Sequence, residues 1–128
     1  MNRAPDWMRQ ARADLKLAKD ARKGGSFEWS CFAAQQASEK ALRSLFLAKG
    51  MEAWGHSLTG LLGELRRTLP RADSLIESAK VLDKHYIPTR YPNGFDSGAP
   101  TDFYTDSEAR DAIQHAEKII KFCSSLLG

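Results

Sequence analysis

Cys31-Phe32-Ala33-Ala34-Gln35-Gln36-Ala37-Ser38-Glu39-Lys40-Ala41-Leu42 carries most of the architecture. Cys31, Ala34, Gln35, Ser38, Ala41 and Leu42, with Leu45 beyond them, recur at helical spacing and predict one face of a long helix running from Phe27 to Lys49. Gly50 ends it. Its small side chains let a neighbouring helix approach closely, so the segment reads as the centre of a helical bundle. Two polar groups interrupt it: Gln35 lies inside the inward stripe, and Glu39 lies one turn later at its edge. Gln36 and Lys40 occupy the adjoining row.

The pattern continues outward on both sides. Trp7, Ala11, Leu15 and Ala18 predict a first helix from Pro5 to Lys23, stopped by Gly24-Gly25. Ser57 is a good N-cap for a third helix carrying Leu58, Leu61, Leu62, Leu65 and Leu69, which Pro70 breaks. A fourth is expected from Arg71 or Ala72 to Tyr86, and the last from Thr105 to Leu127, with Ala109, Ala112, Ile113, Ala116, Ile119, Ile120 and Cys123 on one face. Five helices without a strand imply an all-α fold: an up-and-down four-helix bundle with one additional helix, forming a single domain over residues 1–128.

Between the fourth and last helices lies Tyr86-Ile87-Pro88-Thr89-Arg90-Tyr91-Pro92. Each proline disfavours helix in the residue before it, which pushes Ile87 and Tyr91 toward extended backbone. The segment is a stiff strap holding a planar cation between two phenol rings. Such an arginine suits phosphate or carboxylate, and the tyrosines can stack or donate hydrogen bonds. Alternatively the strap only closes the helix ends, with Tyr86 and Tyr91 packing and Arg90 capping carbonyls. Gln35 and Glu39, which need partners inside a bundle, are expected either to brace the strap through Arg90, Tyr86 or a helix end, or to orient Arg90 for a ligand. His56, before the N-cap, reads as a local hydrogen-bonding group.

Composition narrows the function. A net charge of +3 permits contact with phosphate without demanding it. Cys31 and Cys123 fall on apolar stripes and read as buried small hydrophobes, and the histidines are scattered, so neither a metal site nor a cofactor is expected. Without a membrane-length apolar run or a signal-like start, the chain reads as cytoplasmic, with no membrane partner.

The helix Cys31–Leu42, Gly50, the triplet His56-Ser57-Leu58, the strap at residues 86–92 and the final Ala/Ile helix, in that order, resemble the HEPN family of small helical domains over about residues 5–127. The resemblance implies a helical bundle that commonly forms a homodimer. It also implies frequent pairing with a minimal nucleotidyltransferase, in two-component or toxin–antitoxin-like systems. Another branch of the family consists of metal-independent ribonucleases carrying an arginine followed four to six residues later by a histidine. Here Phe95, Asp96 and Ser97 hold those positions after Arg90, so the usual group for proton transfer is missing. Arg110 and His115 match the spacing, but five residues along a helix rotate them about 140° apart, and they flank opposite edges of the apolar face.

The expectation is therefore a non-catalytic nucleotide- or substrate-binding subunit that pairs with itself and with a minimal nucleotidyltransferase. Gln35, Gln36, Glu39, Lys40, Tyr86, Arg90 and Tyr91 would form its ligand or partner site. The alternative is a metal-independent ribonuclease toxin acting on RNA through Arg90, or through Arg110 and His115 across a dimer.

Overall fold

The computed structural model describes residues 2–127. The expected all-α bundle forms: α1 (Ala4–Lys23), α2 (Phe27–Ala48), α3 (Leu58–Leu65), α4 (Ile76–Asp83), α5 (Pro100–Phe103) and α6 (Asp106–Leu126). Gly24 and Gly25 turn α1 back along α2; Gly25 sits at φ +84°, where a side chain would be strained. The two helices are antiparallel, since Asn2 donates to the Leu47 carbonyl at one end and Ser30 to the Ala18 carbonyl nearer the other. α6 also runs against α1, with Arg22 on Asp106 and Arg12 on Ser124.

α2 is the centre, as its alanine-rich sequence implies. Cys31, Ala34, Ala37, Ala41 and Leu42 are fully buried, because small residues admit neighbours on more than one side. α6 begins with a reciprocal cap: Thr105 Oγ1 accepts from the Glu108 N–H, and Glu108 accepts from the Thr105 N–H. No helix among the described residues is long and apolar enough to cross a membrane.

Three boundaries move from their sequence expectations. α3 ends at Leu65, short of Leu69, because the chain turns there, with the Thr68 and Leu69 N–H groups both donating to the Leu65 carbonyl. The expected helix from Arg71 or Ala72 to Tyr86 divides into a 3-10 segment, Pro70–Leu75, and α4. α4 also ends at Asp83, short of Tyr86. Pro88 lacks the N–H that would bond the Lys84 carbonyl, and its ring crowds that carbonyl, so the last turn cannot continue. The stretch 88–101 contains a 3-10 turn at Pro92–Gly94 and the start of α5, with Phe95 and Phe103 stacked 4.7 Å apart. Met8 joins the core unforeseen, whereas Trp7 stays half-buried.

Candidate functional site

Past the end of α4 the chain winds through a series of turns. The His85 N–H donates to the Leu82 carbonyl, the Tyr86 N–H to Asp83, and Thr89 Oγ1 to the His85 carbonyl at 2.6 Å. Arg90 then folds back so that Nε donates to the Tyr86 carbonyl at 2.9 Å. Tyr91 is extended, at φ −134° and ψ 133°, as Pro92 requires. This geometry fixes where the guanidinium goes.

Its carbon lies 4.5 Å from the ring centre of Phe32, 4.8 Å from Tyr86 and 5.1 Å from Tyr91. Three aromatic faces favour a cation electrostatically, each by roughly 0.5–1 kcal/mol at a partly exposed site, yet leave its charge in place. Among the described residues Arg90 forms no ion pair, and only Nε has a hydrogen-bond partner. A half-buried, uncompensated guanidinium with free N–H groups, held rigidly by rings, is a ready receptor for an anion. Trp29 extends the aromatic edge, meeting Phe32 edge-on at 6.0 Å.

Glu39 organises the other half. Its carboxylate is nearly buried and takes Arg43 Nε at 3.1 Å and His56 Nδ1 at 3.1 Å. Arg43 also donates to the carbonyls of Ala53 and Gly55, the latter at 2.6 Å, clamping the loop that carries His56. The His56 ring stacks on Tyr86 with centres 5.2 Å apart and planes 18° apart. Glu39, His56, Tyr86, Phe32 and Arg90 thus form one continuous cluster drawn from α2, the α2–α3 loop and the strap.

The other residues singled out in the sequence behave differently. Gln35 is fully buried; its Oε1 accepts from Gln36 Nε2 at 2.8 Å, and its own Nε2 lacks a protein partner. Neither Gln35 nor Glu39 bonds the strap directly, because Arg90 closes on its own backbone. Lys40 turns to Asp14 of α1 and, with Gln36, lines a groove of about 410 Å³ beside Trp29 and Phe32. Arg110 bonds Asp106, while His115 faces α4 with Nδ1 2.8 Å from Ser78 Oγ. Arg110 and His115 therefore do not converge within one subunit. Asp111, 3.5 Å from His115 Nε2, completes a serine–histidine–aspartate sequence in outline. Ser78 is 2% exposed, however, so no substrate reaches its hydroxyl, and the group braces α4 against α6.

In the sequence His56 reads as a local hydrogen-bonding group, and it is one; its partner Glu39 on α2 is what the sequence reading missed. The signal available was the Glu39/Arg43 pair, an i,i+4 acid and base on the buried side of α2, which marks a carboxylate fixed for some partner. Burial, chiefly, pushes the thiols of Cys31 and Cys123 and the Tyr104 phenol up to about 12, which keeps them protonated near neutral pH.

A model described as the HEPN domain matches residues 4–126. TT1696 from Thermus thermophilus is 48% identical, aligns over 98% of each chain and superposes with a TM-score of 0.93. ST0689, described as an archaeal HEPN homologue, is 39% identical over the whole of both chains, with a TM-score of 0.84. An HEPN domain protein of Thermotoga maritima, tm0613, is 38% identical over 95% of this chain and 97% of its own, with a TM-score of 0.78. The Methanocaldococcus jannaschii protein named "Putative toxin MJ1304" is 24% identical over 94% of this chain and 86% of its own.

Proposed function

The chain belongs to the HEPN domain family, and within that family we propose that it is a binding subunit whose Arg90 receives the phosphate of a nucleotide or of a nucleotide-bearing partner. The observation that carries this reading is the unpaired guanidinium held by Phe32, Tyr86 and Tyr91. Its Nε caps the Tyr86 carbonyl, as the structural alternative expects, while its remaining N–H groups have no partner among the described residues and stay available to an anion. Tyr91 is 48% exposed and offers a face on which a base can stack; Gln35, Gln36 and Glu39 lie along the same helix as Phe32. Lys40 adds a cation at the neighbouring groove, tethered to Asp14.

The partners we propose are a second copy of the chain and a minimal nucleotidyltransferase, in a cytoplasmic two-component or toxin–antitoxin-like pair. Trp29, 52% exposed, and Trp54, 79% exposed, are large apolar surfaces suited to such contacts. The test is titration of adenosine 5′-monophosphate into the folded protein, followed by amide chemical shifts. Saturable shifts at residues 86–91 that weaken at least tenfold in Arg90→Ala support the reading; unchanged affinity in a folded Arg90→Ala protein refutes the site.

The name of the Methanocaldococcus relative speaks of a toxin, and the second reading we propose is a toxin of the kind that the family resemblance implies, one that cleaves RNA without metal. Arg90, or Arg110 and His115 completed by a second copy, would carry it. RNA cleavage in EDTA that disappears in Arg90→Ala or His115→Ala would establish that activity and identify which group it uses.

A further inference from the structure

His56 is restrained on two sides and left open on a third. Its Nδ1 lies 3.1 Å from both oxygens of Glu39, a carboxylate that also accepts from Arg43. An ionised carboxylate only accepts hydrogen bonds, so Nδ1 must carry the proton. In the neutral ring Nε2 then presents a lone pair. The stack on Tyr86 fixes the plane of the imidazole, and the Arg43 clamp on Ala53 and Gly55 fixes the backbone leading to it. The side chain is nevertheless 56% exposed, and among the described residues Nε2 has no hydrogen-bond partner. With the ring neutral, Nε2 is a preoriented acceptor on a side chain open to solvent.

Tyr86 is the common neighbour of this acceptor and of the Arg90 guanidinium, 5.2 Å from the one and 4.8 Å from the other. A donor fork for an anion and an acceptor for a hydroxyl therefore both border one phenol ring. A molecule that complements both carries a phosphate and a hydroxyl on one small framework, as a ribose phosphate does. We infer that His56 Nε2 accepts a hydrogen bond from a ribose hydroxyl of the ligand whose phosphate Arg90 holds, which makes the site a reader of the sugar. The inference rests on the phosphate-binding reading of Arg90 and adds the group that sets specificity. A site built to pair a hydroxyl rejects an analogue lacking it, because the site's polar group is then desolvated without a partner.

The experiment compares adenosine 5′-monophosphate with its 2′-deoxy and 3′-deoxy analogues, titrated into wild-type protein, His56→Phe, His56→Trp and Arg90→Ala. Phenylalanine keeps the stack on Tyr86 and removes the acceptor; tryptophan keeps an aromatic ring and a donor for Glu39 but has no acceptor. Wild-type protein should bind one deoxy analogue about tenfold more weakly than the parent, a difference of about 1.4 kcal/mol. Whichever His56 variant is folded should bind all three alike, at the level of the disfavoured analogue. Arg90→Ala should lose all three. Equal wild-type affinities, or a preference that survives in a folded His56 variant, overturn the role of His56 while leaving the Arg90 site standing. Failure of wild-type protein to bind any of the three overturns the phosphate site and this inference with it.

Discussion

Asp83 caps a helix whose first residue, Leu58, stands far before it in the chain. As the last residue of α4, it accepts the Leu58 N–H through Oδ1 at 2.8 Å and the Thr59 N–H through Oδ2 at 3.1 Å. Thr59 Oγ1 adds a third bond at 2.7 Å. These are first-turn donors of α3 that have no carbonyl to bond within the helix, and a carboxylate there also complements the helix dipole. Ser57 Oγ accepts from the Gly60 N–H, so α3 is capped from two directions.

Asp83→Ala should therefore lower stability by about 1–2 kcal/mol, and Asp83→Asn by less, because an amide still accepts one bond. Urea unfolding followed by far-ultraviolet dichroism measures both. An alanine variant as stable as wild type would mean that Ser57 alone suffices.

Glu39→Ala should cost about 2–3 kcal/mol, since it strands the largely buried Arg43 guanidinium without its carboxylate. It should also loosen the loop at residues 53–56, seen as faster amide exchange there. Unaltered exchange would show that Arg43 holds the loop through the two carbonyls by itself.

Acid should weaken the fold through His85. Burial lowers its proton affinity below the ordinary 6.5, and its Nδ1 lacks a protein partner. The unfolded chain binds the proton more readily, so this contribution is complete above about pH 6.5 and is lost as pH falls through the lowered folded value. Between pH 7.5 and 5 the wild-type urea midpoint should decline more steeply than that of His85→Leu. The lowered carboxyls of Asp20 and Asp106 act at more acid pH and do not confuse the comparison. Parallel declines would remove His85 as the cause.

Cys31 and Cys123 should resist an aromatic disulfide reagent at pH 8 in the native protein and react at once in denaturant. Both are fully buried, and their thiols are pushed up to about 12. Native reactivity at the rate of a free thiol would contradict their burial.

Gln35→Leu should be neutral or mildly stabilising. The amide is fully buried with Nε2 unpaired, so an apolar group of similar size removes a desolvation cost at the loss of one bond from Gln36. A loss above about 1 kcal/mol would reveal a partner for Nε2, such as an ordered water.

The long helices α1, α2 and α6 and the place of the strap are legible in the chain alone. Helical periodicity on α2 and α6, Gly24-Gly25 as a turn and Pro88 as a stop are effects of the chain on its near neighbours, so they can be read without a fold. The pairing of Arg90 with Tyr86 and Tyr91 is equally local. Packing, by contrast, distributes side chains from separate elements through helix rotation and loop path. It brings Phe32 under Arg90, turns Lys40 to Asp14 rather than to the strap, and seats His56 against Glu39, seventeen residues away. Such contacts depend on the angle at which one packed surface meets another. That angle is set by the bulk of the whole core, which no single stretch of sequence records.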